Sequence, residues 1–295
     1  MKYFNKNFGD IGASATFYLQ EANKEIDINR KSPVMIIVPG GAYMWTSWRE
    51  EEPIALEFFS KGFSCVVAKY ATEGLEFFHD KNNDFSKEPV SSFPNPLMDL
   101  ARIISYTRSK AEEWNLDPDS INVLGFSAGG NLTAQIGTYW KKDWLQKLVK
   151  LDPETYKPNS IAISYGASQT YIADTKSEIS KLVNYASLGH DQSIERQKLI
   201  NVIDADTSDC PPTFIWHTMQ DPLVPVENAL KLASNLRKHD VDFELHIFEK
   251  GKHGLALGDL RTDSKKDRSQ SNIQARKWVD LYLTWLTEHK LIHLF

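Results

Sequence analysis

The chain has 295 residues, 41% of them hydrophobic and 25% charged, enough apolar material to bury a large core. Its formal net charge is only −5 and no lysine–arginine stripe stands out, which argues against nucleic acid as a partner. No apolar run has the length of a membrane span, and Met1–Phe8 lacks the apolar core and small-residue cleavage site of a signal peptide, so the expectation is a cytoplasmic protein, with room for a homo-oligomer.

In chain order, a first strand is predicted around Ala15–Gln20 and a second over Val34–Val38, an uninterrupted apolar run of the kind found in the middle of a parallel sheet. A helix around Pro53–Lys61 leads to a strand over Ser64–Tyr70, which contains Cys65 as a small buried hydrophobe. Cys65 and Cys210 are the two cysteines, and no metal-ligand spacing joins them. A polar, aromatic loop of about twenty residues ends in Phe93-Pro94-Asn95-Pro96. Leu97, Leu100, Ala101, Ile104 and Thr107 then recur at helical spacing, predicting a helix from Leu97 to Trp114 that stops before Asp117-Pro118. Later strands are predicted over Ser160–Tyr165, Pro212–His217 and Asp242–Glu249, with helices over Pro225–Lys238 and Asn272–His289. Alternating strands and helices predict an α/β fold with a mostly parallel sheet covered on both faces. Residues 166–209 interrupt the alternation as a long insertion with short helices near Ser177–Tyr185 and Ser193–Val202, which reads as a cap or lid on one domain spanning 1–295. The mixed-charge runs at Lys141–Trp144 and Lys265–Arg268 read as solvated surface, and Asp259–Ser271 as a mobile polar stretch.

The strongest local signal is Gly125-Phe126-Ser127-Ala128-Gly129-Gly130, directly after the apolar run Ile121–Leu124 and before the helix-forming Asn131–Ile136. Gly-x-Ser-x-Gly in a strand–turn–helix context is a nucleophile elbow, whose glycines allow the close backbone passage that lifts the serine hydroxyl above the sheet. A serine so placed needs a base to take its proton and an acid to orient that base.

Of the eight histidines, His253 lies just beyond a predicted strand between Gly251 and Gly254, where a loop can bend inward. His246 falls inside that strand, and His289 and His293 in or after the terminal helix. His79, His190 and His239 show no acid partner at a strand end, and His217, which closes a strand, is a credible support for the site but reads more as structural. For the acid, Asp221 follows the strand ending at His217, and Pro222 forces a turn that presents the carboxylate from a loop. Asp204, Asp206 and Asp209 precede that strand and Glu227 falls in the next helix. Ser127, Asp221 and His253 thus occur in the order Ser…Asp…His, each just past a strand. For an oxyanion hole, one donor is the amide of Ala128; the other comes from Pro39-Gly40-Gly41-Ala42-Tyr43, with Gly41 and Ala42 as alternatives.

These residues resemble the α/β-hydrolase fold and, within it, the bacterial esterase/lipase branch. Pro39–Tyr43 with Trp48-Arg49-Glu50-Glu51-Glu52-Pro53-Ile54-Ala55 is similar to carboxylesterase and acetyl-xylan-esterase-like proteins, although Pro39 stands where the branch usually has histidine. The resemblance runs from about Val34 to Trp285. It implies hydrolysis of a small-molecule ester through an acyl-enzyme on Ser127, with no metal and no organic cofactor. Tyr43, Trp45 and Trp48, which follow the oxyanion loop closely, read equally as pocket-lining aromatics or as core, and Arg49 and Glu50 as an ion pair that braces the loop. A small serine peptidase of the same fold, or a non-catalytic binding protein on it, is the competing reading.

Overall fold

The computed structural model describes residues 1–9, 11–168 and 178–292. Eight strands form one sheet: β1 (Lys2–Phe8), β2 (Ala13–Leu19), β3 (Ser32–Val38), β4 (Ser64–Lys69), β5 (Leu116–Phe126), β6 (Ser160–Ser164), β7 (Thr213–Thr218) and β8 (Phe243–Phe248). Their spatial order is β1-β2-β4-β3-β5-β6-β7-β8. The first two strands pair antiparallel, β2 runs antiparallel to β4, and β3 to β8 are parallel.

The helices are α1 (Glu52–Ser60), α2 (Leu75–His79), α3 (Asn95–Ser109), α4 (Ala128–Tyr139), α5 (Asp143–Val149), α6 (Pro153–Tyr156), α7 (Glu178–Leu188), α8 (Ile194–Ile200), α9 (Glu227–Lys238) and α10 (Trp278–Glu288). Among the described residues no helix is long and apolar enough to cross a membrane. Two cores lie on opposite faces of the sheet, as the period-two alternation of strand side chains requires. Val34, Ile36 and Val38 join Ile121, Val123 and the buried sides of α3, α4 and α9. Met35 and Ile37 point the other way, joining Leu124, Phe126, Trp216 and the aromatic stripe Trp278, Tyr282 and Trp285 of α10.

The expected elements appear with small shifts at their ends. One difference has a clear cause. Helix α3 stops at Ser109 rather than Trp114, and Asp117-Pro118 lies inside β5. There the ladder jumps from Ser32↔Leu116 to Val34↔Ile121, a bulge that leaves Pro118, which has no N–H to donate, outside the pairing. Strand β1, not anticipated, buries Phe8 and stacks Phe4 on Phe17 at 4.8 Å, while its other residues stay largely in solvent.

The run at Lys141–Trp144 opens α5; Lys141 and Lys142 pair with Asp209 and Asp206, whereas Trp144 packs against the core. The stretch Asp259–Ser271 is organised around Asp263, whose carboxylate accepts from Ser264 N, Gln270 N and Ser271 Oγ. Within the insertion, α7 packs against the long loop that follows β4. Phe93 N donates to Ser187 O, Tyr185 Oη to Lys87 O, and the Phe77 and Tyr185 rings stack at 5.6 Å. Ser177, expected to open the first inserted helix, lies outside the described residues.

Candidate active site

Strand β5 delivers Ser127 at φ 52°, ψ −117°, a conformation that costs an L-residue energy and persists only because its surroundings over-determine it. Ser127 N donates to Ser164 O at 3.1 Å, and Ser127 O accepts from Asn131 N at 3.0 Å and Ala167 N at 3.1 Å. The turn is tight enough that a β-carbon on Gly129 would fall 2.1 Å from Val38 O. Gly129→Ala is therefore expected to destabilise the protein by about 2–3 kcal/mol, because the obstacle is backbone of the central strand and cannot step aside. A thermal melt of that variant checks this.

The histidine and the acid arrive from two other strand ends. Past β7, Asp221 Oδ1 accepts from Leu223 N at 2.9 Å and Val224 N at 3.0 Å, closing the turn that Pro222 pre-sets. Past β8, His253 Nδ1 lies 2.6 Å from Asp221 Oδ2 and Nε2 lies 2.7 Å from Ser127 Oγ. A carboxylate accepts only, so Nδ1 carries the proton and Nε2 is left to accept from the serine hydroxyl. The Asp221 side chain is 1% exposed and that of His253 13%. Burial raises the Asp221 pKa, but the neighbouring His217 ring and the hydrogen bond from His253 outweigh it and hold the carboxyl well below the usual range.

His217 has more to do with this site than its place at a strand end suggested. Fully buried, it donates from Nε2 to Val224 O at 2.9 Å and sits 3.4 Å from Asp221 Oδ2. Its Nδ1 has no partner among the described residues.

The rival residues lie elsewhere. Asp206 and Asp209 bind lysines, Asp204 ends the 3₁₀ turn Val202–Asp204, and Glu227 opens α9. His190 and His239 have carboxylate neighbours, Glu88 at 3.3 Å and Asp206 at 3.9 Å, but neither acid stands at a strand end and neither histidine bonds Ser127. His246 pairs with Glu244 at 2.5 Å, His79 is exposed on α2, and His289 bonds Trp285 O. His293 lies outside the described residues. Burial pushes the Cys210 thiol up to about 12 and that of Cys65 well up too, which leaves neither a thiolate nucleophile at neutral pH.

After β3 the chain turns through Gly41 (φ 125°), Ala42 (φ 54°) and Tyr43 (φ 62°), with Gly41 O accepting from Met44 N and Trp45 N. This loop reaches the serine: a β-carbon on Gly40 would lie 2.8 Å from Ser127 Cβ. The amides of Gly41, Ala42 and Ala128 donate to no other described residue.

Tyr43 is not a wall of the site. It is 3% exposed in the core, and its hydroxyl donates to Asn131 Oδ1 at 2.6 Å, so it anchors the loop to α4. Trp45 is half-buried against Phe78 at 4.9 Å, while Trp48 is 63% exposed. The expected Arg49–Glu50 pair is replaced by two separate ties. Arg49 donates to Gly254 O at 3.3 Å. The buried Glu50 accepts from Gly40 N at 2.8 Å and from Tyr165 Oη at 2.7 Å. Nothing in the local sequence at Tyr165 signalled this contact, which spans 115 positions.

An eight-stranded, mostly parallel sheet with Ser127, Asp221 and His253 at three strand ends defines the class: this is an α/β-hydrolase fold. The solved carboxylesterase Cest-2923 from Lactobacillus plantarum WCFS1 shares it with a TM-score of 0.84 at 25% identity over 99% of each chain. Within that class the chain belongs to the BD-FAE family, whose model matches residues 22–236. It is 26% identical over 227 residues to Endo-1,4-beta-xylanase B of Butyrivibrio fibrisolvens, covering 77% of this chain and 33% of that protein. It is 24% identical over 261 residues to the acetylxylan esterase of Xylanibacter ruminicola, covering 87% of this chain and 47% of that one. The chain therefore spans between a third and a half of the length of these two relatives.

Proposed function

We propose that this chain hydrolyses short-acyl carboxylic esters through Ser127, His253 and Asp221, with acetyl esters of carbohydrates as its substrate class. The observation that carries the reading is His253 held between Ser127 Oγ at 2.7 Å and Asp221 Oδ2 at 2.6 Å. As Ser127 Oγ bonds to the ester carbonyl carbon, its proton passes to His253 Nε2, and Asp221 stabilises the imidazolium that forms. The carbonyl oxygen, now an oxyanion, takes the amide of Ala128 and that of Gly41 or Ala42. Collapse breaks the bond to the alcohol oxygen, which leaves with the proton from Nε2. Water then repeats the sequence on the acyl-enzyme: it gives a proton to His253, its oxygen adds to the acyl carbon, and Ser127 departs reprotonated.

The substrate class draws support from the acetylxylan esterase relative and from the carboxylesterase whose fold matches over the whole chain. The name of the xylanase relative carries less weight, because only 33% of that protein is matched. Trp45 and Trp48, on either side of the turn that follows the oxyanion loop, are assigned contacts with the acyl or alcohol part. The insertion, packed on the loop after β4, is assigned the role of a cap. Rates on a panel of acetyl, butyryl and octanoyl aryl esters, acetylated xylo-oligosaccharides, feruloyl esters and aminoacyl amides test the assignment. The expected order places acetyl esters first. A preference for the amides would replace the esterase reading by a peptidase one.

A further inference from the structure

Glu50 is a carboxylate 3% exposed, and among the described residues it accepts from two donors, one from each side of the site. Its Oε2 accepts from Gly40 N at 2.8 Å, at the base of the loop that carries Gly41 and Ala42. Its Oε1 accepts from Tyr165 Oη at 2.7 Å. The same Tyr165 oxygen accepts from Ala256 N at 3.0 Å, three residues beyond His253. The Tyr165 ring meets the His253 imidazole edge to face, with centroids 5.0 Å apart.

One unbroken chain of donors and acceptors thus runs from the oxyanion loop through Glu50 and Tyr165 to the histidine loop. Every hydrogen in it has one direction: two donors face the carboxylate, which is the arrangement an ionised Glu50 satisfies. Burial raises its pKa, and the bonds from Tyr165 and Gly40 oppose that rise. Arg49, which shares the 3₁₀ turn Trp48–Glu50, ties the two loops a second time through Gly254 O.

A buried charge is costly, and an apolar side chain would fill this space without that cost. Asp221 already orients His253 and Tyr43 already anchors the loop, so neither of those tasks accounts for Glu50. What remains for Glu50 is to couple, beside the Arg49 tie and from the buried interior, two loops that are carried by opposite halves of the sheet.

We propose that Glu50 is a positioning residue that sets the oxyanion-loop amides of Gly41 and Ala42 at a fixed distance from His253 and Ser127. It touches no substrate; it acts through Gly40 on one side and through Tyr165 on the other. This rests on the reading of Ser127 as the nucleophile.

Glu50→Gln keeps the shape but presents an amide N–H₂ to one of the two donors, so the chain must break at Gly40 or at Tyr165. Tyr165→Phe removes only the hydroxyl bridge and leaves Glu50 in place. The probe is a fluorophosphonate, whose rate of attachment to Ser127 depends on the same base and oxyanion donors without requiring any particular ester. Single-turnover labelling rates are measured on the folded fraction of each variant, beside kcat and KM for an aryl acetate.

Because a small misplacement of an oxyanion donor is costly to the transition state and not to ground-state binding, Glu50→Gln is expected to lower labelling and kcat by about tenfold or more, with KM within about threefold. Tyr165→Phe is expected to give a smaller loss, and the double variant no more loss than Glu50→Gln, since both cut one chain. Wild-type labelling rates in both single variants, or losses that multiply in the double variant, overturn the proposal, as does a change confined to the thermal midpoint. If Glu50→Gln does not fold, Tyr165→Phe decides alone by the same criteria. A wild-type protein that is labelled but hydrolyses no ester sinks the esterase reading and leaves the Glu50 result standing; one that is not labelled sinks both.

Discussion

Ser127→Ala is expected to reduce ester hydrolysis by about 10⁴-fold or more while leaving the fold intact. The chemistry is lost because the group removed is the atom that bonds to the acyl carbon, and among the described residues Ser127 Oγ is the side-chain partner of His253 Nε2. The fold is retained because the elbow is held by backbone: Ser127 N on Ser164 O, and Ser127 O receiving Asn131 N and Ala167 N. None of these bonds involves the hydroxyl. Alanine must adopt the same φ of 52°, which costs it no more than it costs serine. Steady-state rates on an aryl acetate, with a thermal melt alongside, check both halves; activity within tenfold of wild type would remove Ser127 from the mechanism.

Asp221→Asn is expected to lower kcat by about 10⁴-fold. The asparagine Oδ1 can still accept from Leu223 N and Val224 N, so the turn survives, but the amide group now faces His253 Nδ1. The imidazole is then driven toward the tautomer that carries its proton on Nε2, where it cannot accept from Ser127. The imidazolium also loses its counter-charge. Asp206→Asn and Asp209→Asn, whose carboxylates bind surface lysines, are expected to stay near wild-type activity.

The same substitution has a pH signature in stability. Burial alone would raise the pKa of Asp221, but its hydrogen bonds depress it below the unfolded value of about 4. A depressed carboxylate pKa contributes stability that is present above the unfolded value and is lost as the pH falls through and below it. The thermal midpoint of the Asp221→Asn variant should therefore fall less steeply than that of wild type between about pH 5 and 2. Equal slopes would show that Asp221 gains nothing from its partners.

Much of this was legible along the chain because the relevant signals are local. The run Ile121–Leu124, two glycines flanking Ser127 and a helix former behind it specify a strand, a turn and a helix without reference to anything distant. Asp221 and His253 could be chosen because each follows a strand at a short, fixed offset, and in a parallel sheet those ends share one edge. Tyr43 could not be assigned in the same way. An aromatic residue after a glycine turn reads equally as pocket or as core, and only the position of Asn131 on α4 decides it. His217 was likewise ambiguous until the turn through Pro222 folded Asp221 back to 3.4 Å from its Nε2.

What the sequence alone determined is the set of groups that meet at the sheet edge: a serine on an elbow, an aspartate past β7, a histidine past β8 and a glycine turn past β3. Hydrophobic periodicity places strands, and strand ends place these residues, so no long-range information is needed to nominate them. Only the tertiary structure decided how they are held. The link from Gly40 through Glu50 and Tyr165 to Ala256 joins residues far apart in the chain, and hydrogen bonds of that kind leave no periodic or spacing signal in any one segment. Their existence depends on the sheet order, which sets β6 between β3 and β8 along one edge, so that Tyr165 can bridge the loops that follow the outer two.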